Sequence, residues 1–406
     1  MIKFPSFGLL FSLKVCCILQ ISIQPSHFSH FFISIYNSLK LTLIFLLCFS
    51  FQCKAQNVNE TVDIDLITIS PGEYYWSAFG HTAIRIKSLN YDKIFGFGYF
   101  DFEKENFFIN FAKGEMQYFL GVVDSDLEIE NYKRQGRSVI SQKLTLTTVQ
   151  KEHIINELTY LSREENRYYP YNYFLNNCTS KIRDILNDAT NGEVNLQLAP
   201  IATDKSWNDL TFPMKNQTWM NLGIAFVYGL SAFEKKNKWQ LSVFPEVLST
   251  DIKNIETRTG WNNHFSVIHT PSKQESAFSE YSFIKTHYAV ILCVLVLLIG
   301  ITLNVSSKPT IILWLITQSL LGVILILLWF LTSHTIAKNN INLLIMFPMA
   351  FIFMFQYFRK SCLLNVYLLV NLVWIIAALF LTNLYLIGFC LVNLLMILKL
   401  KKLRAN

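Results

Sequence analysis

Charge is scarce in this sequence, and the shortage excludes an ordinary soluble enzyme. Only 16% of the 406 residues are charged, while 52% are hydrophobic, too apolar a balance for a chain wholly in water. Cofactor signatures are missing too. No histidine, cysteine and carboxylate set has metal-ligand spacing, no glycine-rich loop is placed to cradle a phosphate chain, and no basic stripe marks a nucleic-acid partner. No cofactor, no metal and no nucleic acid are therefore expected. The formal charge of +7 sits largely beside apolar segments, which reads as membrane orientation.

The apolar excess is uneven. Residues 56–285 mix charges and aromatics like a globular domain and are long enough to bury a full core. Beyond Thr286 the chain is almost continuously apolar. It divides into about five spans, roughly Tyr288–Val305, Ile311–Leu331, Asn342–Phe358, Leu363–Leu381 and Leu384–Leu398, each about the length of a bilayer crossing. Lys308, the Arg359–Lys360 pair and the Lys399–Arg404 tail fall in alternate connections. By the positive-inside rule these are cytoplasmic, which puts residues 56–285 outside. No carboxylate within the spans suggests an ion pathway; Asn365, Asn371 and Asn393 are candidates to join helices.

The N-terminus agrees with export. "SLKLTLIFLLCFSFQCKAQ" carries a lysine, an apolar run and a small-residue site at Cys53-Lys54-Ala55, the pattern of a secretory signal. Residues 1–55 read as a leader with signal peptide, 56–285 as a periplasmic catalytic domain and 286–406 as a transmembrane domain with a cytoplasmic tail. The leader is long for a signal, so an early start codon or an uncleaved anchor are alternatives. The expected location is the inner membrane, crossed several times.

Of eight cysteines, four lie in the leader and three in the spans, so Cys178 is alone in the exported domain. An unpaired thiol in an oxidising compartment is a candidate reactive group; the alternative is a small buried hydrophobe. Asn176 and Asn177 before it are good helix caps, and Ile182, Ile185 and Leu186 follow at helical spacing. Cys178 is thus expected in the first turn of a helix, where backbone N–H groups favour thiolate. Among the histidines, His153 falls on the polar side of an amphipathic helix, His264 and His269 lie near the membrane end, and His287 borders the first span. His81 differs: it follows Gly80 and opens the alternating run "HTAIRIK", a half-buried strand. A Cys178–His81 pair is expected, with a satisfied core histidine as the alternative. Asp101 is the expected orienter of the histidine, Tyr99 a second choice; a turn or cap role is the competing reading of Asp101. Asn177 is a candidate for an oxyanion hole.

"FGHTAIRI", "FGYFDFEKENFFINFAKGEMQYFLG" and "YNYFLNNCTSKIRDIL", followed by several spans, resemble the Lnb-type family of lipoprotein N-acyltransferases over roughly residues 60–400. The resemblance implies a Cys–His pair at Cys178 and His81. It also implies acyl transfer from a phospholipid donor to the α-amino group of a diacylglyceryl-cysteine lipoprotein acceptor. Tyr171, Tyr173, Asn177 and Arg183 share the cysteine motif and are candidate substrate-binding residues. Arg183 is read either as a phosphate contact or as a partner of Asp184. The order, histidine before cysteine, matches lecithin–retinol acyltransferase-like enzymes. The implied fold is an α+β periplasmic domain, permuted papain-like, followed by an all-α transmembrane bundle of about five helices. Two rivals remain open: a membrane-anchored Cys–His peptidase or amidase acting on cell-wall peptide, and a non-enzymatic scaffold. The aromatic stretch Asn216–Phe233 is read as lining a lipid entrance, or as ordinary core or a helix packed on the spans.

Overall fold

The computed structural model describes residues 62–211, 218–255, 264–270, 308–355, 358, 361–380 and 385–402. The leader, the expected first span and His287 lie outside the described residues.

The exported part is built on a seven-stranded sheet whose neighbours all run antiparallel. Its strands are β1 (Asp63–Ile69), β2 (His81–Lys87), β3 (Asp92–Tyr99), β4 (Gln117–Asp124), β5 (Val139–Lys143), β6 (Tyr168–Pro170) and, after a small pair β7 (Ala202–Ser206) and β8 (Lys235–Asn237), β9 (His264–His269). The order across the sheet is β6-β4-β3-β2-β1-β5-β9.

Alternation along the central strands feeds two cores. Ile64, Leu66, Ile84, Ile86, Phe95 and Phe97 face one side. Against them pack Ile154 and Leu158 of the helix Thr148–Leu161, Ile182, Ile185 and Leu186 of the helix Cys178–Ala189, and Leu248 and Ile252 of the helix Pro245–Asn254. Ile67, Ile69, Ala83 and Ile94 face the other side and meet Ile129 and Tyr132 of the helix Ser125–Arg134. Strands covered on both faces leave room for reactive groups chiefly at their ends, and that is where His81 stands. The exported part is therefore an α+β domain on an antiparallel sheet.

The C-terminal region is helical. The helix Lys308–Phe330 is long and apolar enough to cross a bilayer over Ile311–Phe330. Cys362–Phe380 and Tyr385–Lys402 follow. These correspond to the second, fourth and fifth expected spans. The third, Asn342–Phe358, is not one helix: short 3-10 turns at Ile341–Leu344 and Ala350–Met354 lie on either side of Pro348. Proline lacks an amide hydrogen and its ring clashes with the preceding turn. Asn342 spends its side-chain amide on Ala225 O at 2.9 Å and Phe226 O at 3.0 Å. Those carbonyls belong to the helix Thr218–Val227, so the described part of the aromatic stretch Asn216–Phe233 packs beside the spans.

The two regions are stitched together just past Phe330. Ser333 N–H donates to Lys113 O at 2.7 Å, His334 Nε2 meets Phe111 O at 3.0 Å, and Asn172 Nδ2 donates to Thr335 Oγ1 at 3.1 Å.

Candidate active site

Cys178 is the first residue of its helix, and Asn177 caps it. Asn177 Oδ1 accepts from Ser180 N–H at 2.7 Å, and Ser180 Oγ accepts from Asn177 N–H at 2.8 Å, a reciprocal capping box. The Asn177 amide nitrogen also donates to Tyr173 O and Val243 O, each at 2.9 Å. Every polar atom of that side chain is occupied in holding the loop and the helix start. The expected binding or oxyanion role of Asn177 therefore gives way to a structural one.

His81 begins β2, and the structure brings it to Cys178 through the next residue of each element. Thr82 Oγ1 and Thr179 Oγ1 share a buried hydrogen bond of 3.0 Å, and the Thr82 backbone N–H is near enough to favour the thiolate form of Cys178. Strand start and helix start are thus clamped together. β3 supplies the room. A Cβ on Gly96 would lie 3.1 Å from His81 Nε2, and one on Gly98 would lie 3.5 Å from Cys178 Cβ. Gly98 sits at a bulge of β3 with φ +97°, and both glycines of "FGFGYF" present bare backbone to His81 and Cys178. The Gly-x-Gly spacing is the sequence signal for this close approach.

Both groups rest neutral. Burial holds the His81 imidazole down to about 3, helped by the nearby charge of Arg137. Burial also pushes the Cys178 thiol up, outweighing the N–H groups of Thr82, Thr179 and Cys178 and the Thr179 hydroxyl. The helix start does favour thiolate, but desolvation is the larger effect here. Cys178 therefore rests as a thiol near a neutral base.

The remaining expected residues divide. Tyr171 stacks on Tyr118 at 4.2 Å and meets Tyr173 edge-on at 5.4 Å. Burial first, and Cys178 next, raise the Tyr171 phenol well above its usual value, so this wall adjoins the thiol. Asp101 does not join the pair. It is exposed, and its carboxylate accepts from Glu103 N–H at 2.9 Å, an Asx-type turn. Arg183 is buried: it bonds Asp184 Oδ1 at 2.7 and 2.9 Å and Trp239 O at 2.8 Å, with its guanidinium 3.8 Å over the Trp239 ring. Its donors face protein rather than a phosphate. His153 is exposed, as its helix pattern predicts.

Tyr99, the second choice, does reach His81: the rings meet edge-on at 6.4 Å, and the Tyr99 hydroxyl donates to buried Glu128 at 2.9 Å. Arg137 lies beyond, over Tyr132 at 5.1 Å. Neither Glu128 nor Arg137 was picked out by sequence. One sits on an ordinary amphipathic helix and the other in the turn after it, so nothing local distinguishes them from surface charges.

Fold and site define a membrane protein carrying an α+β domain in which His81 and Cys178 lie near each other at one end of the sheet. Residues 51–210 match the Lnb N-terminal periplasmic domain, and residues 275–403 match the Lnb transmembrane domain. The chain belongs to the Lnb-type family, with a periplasmic N-terminal domain. No curated protein and no solved structure gives a match.

Proposed function

We propose that this protein is a lipoprotein N-acyltransferase of the inner membrane, crossing it several times. The observation that carries the reading is the place of the pair: the loop leading to Cys178 is hydrogen-bonded through Asn172 to Thr335, five residues past the end of a membrane-length helix. A site so placed suits substrates anchored in lipid at both ends of the reaction. An exposed aromatic surface supports it. Trp76 and Phe102 meet at 5.8 Å and Phe102 and Phe107 at 5.1 Å, with Tyr74, Tyr75 and Phe108 exposed alongside. The helix Phe107–Lys113 that bears part of this surface is the one tied to Ser333 and His334. Aromatic side chains favour that interfacial depth.

The chemistry follows from a neutral pair. As the Cys178 sulfur attacks the ester carbonyl of a phospholipid, its proton passes to His81. His81 returns that proton to the departing glycerol oxygen, leaving lysophospholipid and a Cys178 thioester. The α-amino group of a diacylated lipoprotein then attacks the thioester while His81 accepts an amine proton. Collapse forms the amide and restores the thiol. Water would divert the thioester to free acid, so the buried, lipid-facing placement favours transfer. A strand-borne histidine preceding a helix-borne cysteine on an antiparallel sheet also supports the permuted papain-like arrangement.

The test is expression in cells lacking their own lipoprotein N-acyltransferase, wild type beside Cys178→Ser. The N-terminal peptide of an abundant lipoprotein is read by mass spectrometry. One added acyl chain with wild type only is the expected result. Correctly exported wild type that adds none would remove N-acylation and favour hydrolysis. Addition by both variants would make Cys178 structural.

A further inference from the structure

Arg137 is a buried cation with an unused hydrogen-bonding edge. It is 4% exposed. Its Nε donates to Ser70 O at 2.7 Å and its Nη1 reaches Gln135 Oε1 at 3.4 Å. Its Nη2 is buried and has no hydrogen-bond partner among the described residues. Native interiors rarely leave such donors unmatched, least of all charged ones. The nearby buried acid, Glu128, has its Oε1 engaged by the Tyr99 hydroxyl.

Strand register places this edge. Ile69 of β1 pairs with His81 of β2 on one side and with Val139 of β5 on the other. Arg137 comes two residues before Val139. Val139 is two strand spacings, roughly 10 Å, across the sheet from His81, and Arg137 stands just beyond it at the same end of the sheet, with a long side chain to cover the gap. Its charge acts on both His81 and Cys178. The Nε bond to Ser70 already holds the β1–β2 loop, so anchoring that loop does not account for the free Nη2. The same loop packs on the Arg137 side chain, for a Cβ on Gly72 would lie 3.1 Å from Arg137 Cδ. Its tip carries the exposed Tyr74, Tyr75 and Trp76. The covering of the cation is thus continuous with the aromatic surface set against lipid.

A planar guanidinium edge fits a phosphate or carboxylate oxygen pair. Of the two substrates in the proposed reaction, the phospholipid donor carries a phosphodiester anion beside its scissile ester, while the acceptor offers an amine. We propose that Arg137 binds the phosphate of the acyl donor, which enters beneath the Tyr74–Ser77 turn, and so sets which ester meets Cys178. This rests on the N-acyltransferase reading above.

The full chain in detergent is given two donors, a phospholipid and p-nitrophenyl palmitate, which lacks phosphate. Thioester on Cys178 is followed by peptide mass spectrometry. Arg137→Gln should slow acylation by phospholipid about 10- to 100-fold, the weight of one charge-assisted contact, chiefly through the donor KM. The charge acting on His81 affects both donors alike, so the loss on phospholipid should exceed the loss on the nitrophenyl ester by about tenfold or more, and Arg137→Lys should recover part of the phospholipid rate. Equal loss on both donors, or no loss, overturns the proposal. Should Arg137→Gln not fold, wild type decides through protection of Cys178 from iodoacetamide. An ether-linked phospholipid should protect at least about tenfold better than the matching dialkylglycerol. Equal protection refutes a phosphate contact, and protection by inorganic phosphate without preference for the ether phospholipid refutes a donor contact. If wild type forms thioester with neither donor, acyl transfer fails, and the protection result still decides Arg137.

Discussion

Gly96→Ala tests whether His81 is positioned by the bare backbone of β3. Gly96 pairs directly with Gly121 of β4, and the Tyr99 ring lies against both. A Cβ at 121 would sit 2.7 Å from Tyr99 Cδ2 and Cε2; one at 96 would sit 3.0 Å from Tyr99 Cε2 and 3.1 Å from His81 Nε2. Comfortable carbon contacts begin near about 3.5 Å, so alanine at 96 must displace both rings by a few tenths of an ångström. Overpacking of this kind costs about 1–3 kcal/mol of stability. A catalytic group moved towards an ångström out of place can lose about 100-fold in rate. Gly121→Ala is the control: its clash with Tyr99 is harder, yet no His81 atom is among its nearest neighbours. Melting temperature in detergent and single-turnover thioester formation on Cys178 are measured for both. Gly96→Ala should lose rate out of proportion to its stability, and Gly121→Ala should not. Equal rates in the two variants at matched stability would transfer the effect to Tyr99 and refute the reasoning about His81.

Alkylation of Cys178 should keep accelerating with pH beyond the ordinary thiol range, because burial raises its titration; a flat rate from pH 5 upward would reveal a resting thiolate instead. His81 titrates at about 3 when folded and at 6.5 when free. Between those values the unfolded chain binds the extra proton, so stability falls as pH drops from about 6.5 towards 3; denaturant melts should show that slope flattened in His81→Gln. Arg183→Gln should lose about 2–3 kcal/mol of stability through its buried hydrogen bonds with the donor KM unchanged, whereas Asp101→Asn should leave turnover within about twofold, as exposed substitutions usually do; a raised KM for the first or a dead enzyme for the second would restore their expected roles. Paired Trp76→Ser and Phe108→Ser should slow acylation by phospholipid in vesicles while sparing p-nitrophenyl palmitate, and equal effects on both would argue against a lipid-facing surface.

The nearness of Cys178 and His81 was legible because each carries a local signal. Cys178 follows a capping asparagine at the head of an amphipathic helix, and His81 opens an alternating strand after a glycine. Their surroundings were not, because they are assembled by register. Glu128 and Arg137 reach the pair only after β1 is paired on both sides, a long-range fact that no short window contains. Asp101 misled for the same reason. It stands two residues past Tyr99, but β3 ends at Tyr99 and the chain turns away, so sequence proximity does not become proximity in space. Asn177 and Arg183 belong to the cysteine motif, but they act on the backbone around it, and only their hydrogen bonds distinguish holding a loop from holding a substrate.

The broken third span shows how composition alone misjudges a membrane segment. Its apolar length predicts a helix, yet lipid tolerates irregular backbone only where protein satisfies the polar groups. Here it does. Ile345 O accepts from Tyr367 OH at 2.7 Å and from Asn393 Nδ2 at 3.0 Å, and Phe351 N–H donates to Ser319 Oγ at 2.9 Å. Asn393 also bonds Asn371 Oδ1 at 2.9 Å and accepts from Gln318 Nε2 at 2.7 Å. Asn371 and Asn393 therefore do join helices, while Asn365 is exposed. What they join is the irregular segment as much as the helices. At the start of that segment the Asn340 and Asn342 side-chain amides donate to carbonyls of the Thr218–Val227 helix, and it adjoins residues 333–335, where the exported domain is tied down. The polar residues in the spans thus hold the irregular segment, and with it the 333–335 stretch bonded to the exported domain, a structural task that needs neither charge nor an ion path.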